Sequence, residues 1–303
     1  MEHAAWIAVD WGTSNLRVWA IDAAGNAIAS HTSDQGMGVL TRDAFEGALL
    51  ALIEPYLKTG KTLPVLCCGM VGSRQGWAEA AYLSTPCAPA DGQNALHVVA
   101  TDPRISVHIL PGIKQMTPPD VMRGEETQIS GYLADNPDFD GVLCMPGTHT
   151  KWVHISLGEV VSFQTFMTGE VFALLSQQSV LRHSVSAEGF DSGVFKDALT
   201  DAMSRPQSVT AALFGLRAGA LVADMSPVAA RSRLSGLLIG AELAGARPYW
   251  LGQNVAIIGD GGLSDLYRSA LQEQGVDTAC ANVEATTLSG LKSAFETLKE
   301  TSL

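Results

Sequence analysis

Basic charge is scarce in this sequence. Nineteen Lys and Arg face thirty-one Asp and Glu, a net charge of −12, and the basic residues form no run. That pattern argues against a phosphate-tracking nucleic-acid surface and against electrostatic docking on anionic lipid. No uninterrupted apolar stretch reaches the roughly 18 residues that suggest a membrane span. The start, Met1-Glu2-His3-Ala4-Ala5, lacks the basic and apolar regions of a secretory leader. The cysteines (Cys67, Cys68, Cys87, Cys144 and Cys280) are odd in number and show no C-x-x-C spacing. Neither a disulfide framework nor a zinc site follows from them, and a reducing cytoplasm is the expected compartment. The chain has no G-x-x-x-x-G-K-[ST] run and no well-formed G-x-G-x-x-G after a strand. A P-loop is thereby excluded and a dinucleotide-binding Rossmann site disfavoured.

What the sequence does contain is apolar bulk. Of its 303 residues 47% are hydrophobic and 17% charged, enough for two packed domains of ordinary size. A division at 1–138 and 139–303 follows from the polar linker at 135–140 and the new strand that begins at Gly141. Apolar runs predict strands at 6–9, 16–21, 65–68, 107–110, 141–145 and 255–258. Helical spacing predicts helices at 43–58, with Asp43 and Glu46 as a capping box, near 122 onward, and at 208–223 and 230–244. Another is expected at 265–274, capped by Ser264. Thr117-Pro118-Pro119-Asp120 reads as a rigid loop.

Three turns stand out chemically. Asp10, Gly12, Thr13, Ser14 and Asn15 occupy the tip of a predicted hairpin, and Gly147-Thr148-His149-Thr150-Lys151 repeats its pattern about a domain's length later. Duplication and coincidence explain that echo equally well, because any hairpin tip favours Gly and Thr. Such tips offer amides and hydroxyls to phosphate oxygens, and Asp10 suits Mg²⁺; a plain β-turn with Asp in its favoured place is the alternative. The third turn, Gly259-Asp260-Gly261-Gly262, admits a nucleoside against a helix start, or simply connects strand to helix. Glu125 and Glu126 sit at a predicted helix start, where carboxylates serve either the helix dipole or proton abstraction. They point about 100° apart, so at most one faces a given site. Ser73, Arg74, Gln75, Lys114 and Arg123 supply polar and cationic groups for an anionic substrate, or surface charge.

Taken in order, these pieces resemble the actin-like ATPase superfamily, and the resemblance sharpens to the 2-dehydro-3-deoxygalactonate kinases. The stretches that carry it are 10–17, Gly69-Met70-Val71-Gly72-Ser73-Arg74-Gln75-Gly76-Trp77, Met122-Arg123-Gly124-Glu125-Glu126-Thr127-Gln128, 146–152 and 259–262. The resemblance implies an α/β, two-lobed fold of the ribonuclease H-like type with an interlobe cleft. It also implies transfer of the γ-phosphate of ATP to the 6-hydroxyl of 2-dehydro-3-deoxy-D-galactonate. Under it Gly12, Thr13, Ser14, Asn15, Gly147, Thr148, His149 and Thr150 hold phosphates, while Gly259, Gly261 and Gly262 hold adenosine. Asp10 holds Mg²⁺, Glu125 is the base with Glu126 in reserve, and Ser73, Arg74, Gln75, Lys114 and Arg123 meet the acceptor. Related sugar kinases carry Asp where this chain has Glu125, and the second phosphate motif has Met145 where the first has Asp10. The expected partners are MgATP and a small sugar acid, with no nucleic acid or membrane and a homo-oligomer left open. A kinase for another sugar or acid, or a nucleotide-driven switch of the actin type, are the alternatives.

Overall fold

The computed structural model describes residues 3–301; Met1 and Glu2, part of the start considered for a leader, lie outside them. The chain divides into two compact units, Met1–Phe139 with Ser156–Ser162 and Asn282–Leu303, and Asp140–Ile155 with Phe163–Ala281. No helix among the described residues is long and apolar enough to cross a membrane.

The first unit contains strands β1 Trp6–Trp11, β2 Leu16–Ile21, β3 Ala27–Ser33, β4 Leu63–Gly69, β5 Tyr82–Ser84, β6 Leu96–Val98, β7 Ile105–Ile109, β8 Gly112–Met116 and β9 Pro119–Met122. Helices α1 Phe45–Ile53 and α2 Glu125–Asp135 accompany them. Six strands form one sheet in the order β3-β2-β1-β4-β7-β6, and β5-β8-β9 form a small second sheet. β1 to β3 run antiparallel as a meander, and β4 and β7 extend it in parallel. β1 is buried on both faces, as parallel-type interior strands are. Its Ile7, Val9 and Trp11 join Phe45, Leu49 and Ile53 of α1 in one core. Trp6 and Ala8, on the other face, pack with Cys68 and with Leu291 and Phe295 near the C-terminus. By the two-residue period of a strand, Asp10 falls on the same face as Trp6 and Ala8.

The second unit is built on strands β10 Gly141–Met145, β11 Thr150–Ser156, β12 Glu159–Phe166, β13 Val255–Ile258 and β14 Thr278–Ala281, with Ser156 and the first half of β12 through Ser162 counted in the first unit. Its helices are α3 Thr168–Gln177, α4 Ser192–Ser204, α5 Val209–Val222, α6 Pro227–Gly245, α7 Arg247–Trp250 and α8 Gly261–Gln272. The sheet order is β12-β11-β10-β13-β14, with β10 antiparallel to β11 and parallel to β13. An antiparallel meander continued by parallel strands thus occurs twice, the topology of the actin-like fold. The two Gly-Thr tips join the first and second strands of equivalent sheets, which favours duplication over coincidence as the source of the echo.

The last helix, α9 Val283–Thr301, belongs with the first unit, as does 156–162, so the linear division at 138 does not coincide with these units. Packing explains the return of α9. Gly131 of α2 and Gly290 of α9 each press on the other helix's backbone, leaving no room for a side chain. Phe295 stacks on Trp6 with ring centroids 4.0 Å apart.

Several local expectations need correcting. The helix expected at 43–58 is regular only over Phe45–Ile53, with Pro55 in the short 3₁₀ turn that follows. Its capping box does not form: Glu46 instead accepts the amides of Thr101 and Asp102, at 2.9 and 2.7 Å. The double-proline segment is a hairpin turn from which β9 departs at Pro119. α8 begins at Gly261 behind Asp260, and Ser264, expected as its cap, is buried inside it.

Candidate active site

In the first unit the hairpin tip Gly12–Asn15 is anchored by fully buried residues on either side, Trp11 and Leu16. Its turn closes through the Gly12 amide on the Asn15 carbonyl, 2.9 Å. A second segment clamps it from behind: the Met37 and Gly38 amides donate to the carbonyls of Gly12 and Thr13 at 3.0 and 2.8 Å. Gly36 lies so close to the Thr13–Asn15 backbone that a methyl group there would overlap it. Thr13, Ser14 and Asn15 are left exposed.

Asp10, 8% exposed, sits beneath this tip. Its Oδ2 is 3.0 Å from Arg17 Nη2, its register partner on β2, and the Cys68 thiol donates to Oδ1 at 3.8 Å. Burial raises the Asp10 carboxyl above its ordinary range; Arg17 and Cys68 oppose the rise, and nearby Glu125 adds to it.

Glu125 and Glu126 occupy the first turn of α2 but have different surroundings. Glu125 is half-buried and accepts the Arg123 amide at 3.0 Å. Glu126 is buried, accepting the Gly124 amide at 2.6 Å and the Thr127 hydroxyl at 3.2 Å. Burial first, and Glu125 second, push its carboxyl up to about 8. The Arg123 guanidinium lies 4.2 Å over the Tyr82 ring and donates to the Ala80 carbonyl at 2.8 Å. Lys114 stands half-buried in the middle of β8, and Ser73 is buried with its hydroxyl unpartnered within the protein. Arg74 and Gln75 are exposed. Arg42 shapes their turn, donating to the carbonyls of Arg74 and Gly76 at 2.7 and 3.2 Å.

The second unit repeats the tip with different chemistry. Met145 pairs in register with Lys151, which is 5% exposed, so no carboxylate stands where Asp10 stands in the first hairpin. The tip is again backed by a glycine: Gly169 presses on Gly147 and Thr148, and the Glu170 amide donates to the Thr148 carbonyl at 2.9 Å. His149 is half-exposed, its Nε2 2.6 Å from a Glu170 carboxylate oxygen. Thr150 is fully buried, its hydroxyl 3.0 Å from that of Tyr267 on α8.

Within this unit a cavity of about 700 Å³ brings Gly147, Thr148 and Gly262 to one wall system, together with Thr168, Phe172 and Arg231. It meets the size of a ligand pocket. A hairpin tip and the glycine-opened start of α8 bring backbone amides to the edge of a lining that is otherwise mostly apolar, Phe172, Phe190, Leu238 and Leu266 among it.

A family model described as 2-keto-3-deoxy-galactonokinase matches residues 10–294. The chain belongs to that family. A probable 2-dehydro-3-deoxygalactonokinase of Rhizobium meliloti (strain 1021) is 39% identical over 299 residues, covering 95% of this chain and 96% of the relative. The 2-dehydro-3-deoxygalactonokinase of Escherichia coli (strain K12) is 32% identical over 294 residues, covering 96% and 97%. A crystal structure from Sinorhizobium meliloti, of a protein given the same name provisionally, is 38% identical with a TM-score of 0.87 over 95% of this chain and 97% of that one.

For a member of this family the sequence left three parts of the site unread. Gly36 to Gly38 and Gly169-Glu170 clamp the two tips, yet their importance lies in backbone approach, which no periodicity reports. Arg42 looks like an ordinary helix-flanking charge. Glu242, buried in α6, did carry a signal: it is the one charged residue in the apolar run Leu237-Leu238-Ile239-Gly240-Ala241-Glu242-Leu243. A lone carboxylate on a buried face calls for partners.

Proposed function

We propose that the chain transfers the γ-phosphoryl group of ATP to the 6-hydroxyl of 2-dehydro-3-deoxy-D-galactonate. The observation that carries this reading is the match to two kinases of that name along nearly the whole chain. The residues of the first unit are suited to the acceptor side. Glu125 takes the proton of the attacking hydroxyl as the new oxygen–phosphorus bond forms. The bond from the γ-phosphorus to the β–γ bridging oxygen breaks, and ADP leaves with that electron pair. Thr13, Ser14 and Asn15 offer exposed hydroxyl and amide groups to phosphate, as do Gly147 and Thr148 in the second unit. Ser73, Arg74, Gln75, Lys114 and Arg123 are the groups proposed for the sugar acid. The second unit's cavity takes the nucleoside, with Gly259, Gly261 and Gly262 shaping the start of α8.

Among the described residues no cluster of three or more His, Cys, Asp or Glu offers a ready-made metal cage. Mg²⁺ keeps most of its ligands as water and phosphate oxygens and needs only one or two carboxylates. Asp10, adjacent to Glu125 and beneath the phosphate-binding tip, would hold it. Bound there, the ion would neutralise charge on the phosphates. The unpaired thiols suit a reducing cytoplasm.

The test is ADP release from MgATP by the purified chain with 2-dehydro-3-deoxygalactonate, 2-dehydro-3-deoxygluconate, glycerol or no acceptor. Release confined to the galactonate derivative is expected. Equal release without acceptor would overturn the kinase reading in favour of a nucleotide switch.

A further inference from the structure

Three walls of the second unit's cavity converge on one buried carboxylate. Glu242, 3% exposed, projects from α6 and accepts the indole N–H of Trp152 on β11 at 2.8 Å and the hydroxyl of Tyr267 on α8 at 2.7 Å. The hydroxyls of Thr168, at the start of α3, and Thr150, just past the hairpin tip, lie near enough to favour its charged form. Thr150 and Tyr267 bond each other as well, 3.0 Å apart, which closes the network. Both Thr168 and Tyr267 line the cavity itself, as do Gly147 and Thr148 from the tip that Thr150 ends. The donors thus come from three separate elements, and a single side chain fixes their spacing.

We infer that Glu242 is a positioning residue for the nucleotide: its carboxylate holds β11, α3 and α8 in the register that shapes the cavity. This rests on the nucleotide reading of that cavity. The geometry makes the role specific. Trp152 Nε1–H can only donate, so it needs an acceptor, and an unmet buried donor is costly. Tyr267 can reverse its role, accepting from one neighbour while donating to Thr150. A glutamine at 242 therefore still satisfies the network, oxygen to Trp152 and amide to Tyr267. A leucine satisfies neither.

The experiment compares Glu242→Gln, Glu242→Leu and Tyr267→Phe in the full chain, by calorimetric titration with ADP and by separate KM values for ATP and the sugar acid. Glu242→Leu is expected to weaken ADP and raise the ATP KM at least tenfold, with the acceptor KM within twofold. Glu242→Gln should recover both nucleotide constants to within about threefold of wild type, and Tyr267→Phe should weaken ADP about threefold. A folded Glu242→Leu that binds ADP as wild type does, or that raises both substrates' KM values alike, overturns the inference while leaving the kinase reading intact. If Glu242→Leu does not fold, an unchanged ADP affinity in Tyr267→Phe overturns it equally. A wild-type chain that binds no ADP would overturn the nucleotide reading itself, and this inference with it.

Discussion

The two hairpins share a topology and part company in chemistry. Each joins the first two strands of its sheet through a Gly-Thr tip, and each tip is backed by a glycine, Gly36 or Gly169, pressed onto its backbone. Beneath the first lies Asp10, paired with Arg17. Beneath the second lie Met145 and Lys151. Each unit also buries one glutamate near its tip, but the environments differ. Glu242 accepts side-chain bonds from Trp152 and Tyr267, with the Thr150 and Thr168 hydroxyls also favouring its charge, whereas Glu126 accepts the helix-start Gly124 amide and the Thr127 hydroxyl. A duplicated scaffold has therefore kept its backbone clamp, which any phosphate-binding tip needs, and placed its acids unequally.

The sharpest way to break that comparison is to alter Asp10 and its counterpart Met145 separately. Asp10→Asn keeps the size but removes the charge and one of the two acceptor oxygens that face Arg17 and Cys68, and kcat/KM should fall on the order of 10²- to 10³-fold. Met145→Leu, a volume-conserving swap in a buried strand, should change kcat/KM by no more than about threefold. Comparable losses in the two variants would mean that the hairpins contribute alike and that the metal assignment is wrong.

The next effect concerns the buried glutamates and appears as stability against pH. In the folded chain the Glu126 carboxyl is pushed up to about 8, mainly by burial. In the unfolded chain it ionises near pH 4.3. Between these values the folded state holds a proton that the unfolded state has lost, so folding stability falls as pH rises through the window. Glu126→Gln has no such proton to lose. Its stability relative to wild type should improve by roughly 3 kcal/mol between pH 5 and pH 8, read from urea unfolding. Glu242→Gln should show a shallower trend, because side-chain donors compensate its burial. Parallel curves for wild type and Glu126→Gln would contradict a buried carboxyl held neutral.

A smaller effect tests what the hairpins have in common. Gly36→Ala and Gly169→Ala each place a methyl against tip backbone, which must shift. Each should lower kcat/KM roughly tenfold, since small displacements of positioning groups are costly in phosphoryl transfer. Gly47→Ala, on open helix surface with nothing near its added carbon, is the control and should be neutral in activity.

These residues also mark what was legible in the sequence. β1, β4, β10 and β13 were readable because short apolar runs end abruptly in turn residues, and the reading of the glycine turns followed from those strands. α5 and α6 came within a few residues of their observed ends. The start of α8 was misplaced because Gly261 and Gly262 are poor helix formers, so Ser264 looked like the first capping residue. Glu46 mimicked a capping box because local spacing says nothing of the amides of Thr101 and Asp102, more than fifty residues away. α9's place against α2 depended on the glycine crossing at Gly131 and Gly290, a tertiary fact. In the candidate site, residue type and order single out Asp10, Glu125 and both tips. The clamps behind the tips, and the partners of Glu242, arise only when distant segments meet.

The smallest expected effect separates two readings of the second tip. His149 was read from sequence as a phosphate ligand, and in the fold its Nε2 lies 2.6 Å from Glu170. Both side chains are substantially exposed, and exposed ion pairs contribute only about 0–1 kcal/mol. If the pair chiefly braces the tip, His149→Gln and Glu170→Gln should raise the ATP KM by the same modest factor, about threefold. The double variant should then do no more than either single one, since both remove the same contact. A ligand role makes a different pattern: His149→Gln would weaken ATP tenfold or more, while Glu170→Gln, by releasing the imidazole towards phosphate, would leave affinity equal or better. The first hairpin has no histidine at its tip, where Thr13, Ser14 and Asn15 stand exposed. The bracing pattern would make the two tips equivalent in how they meet phosphate, through backbone and small hydroxyls, and the ligand pattern would make the second tip the more specialised of the two.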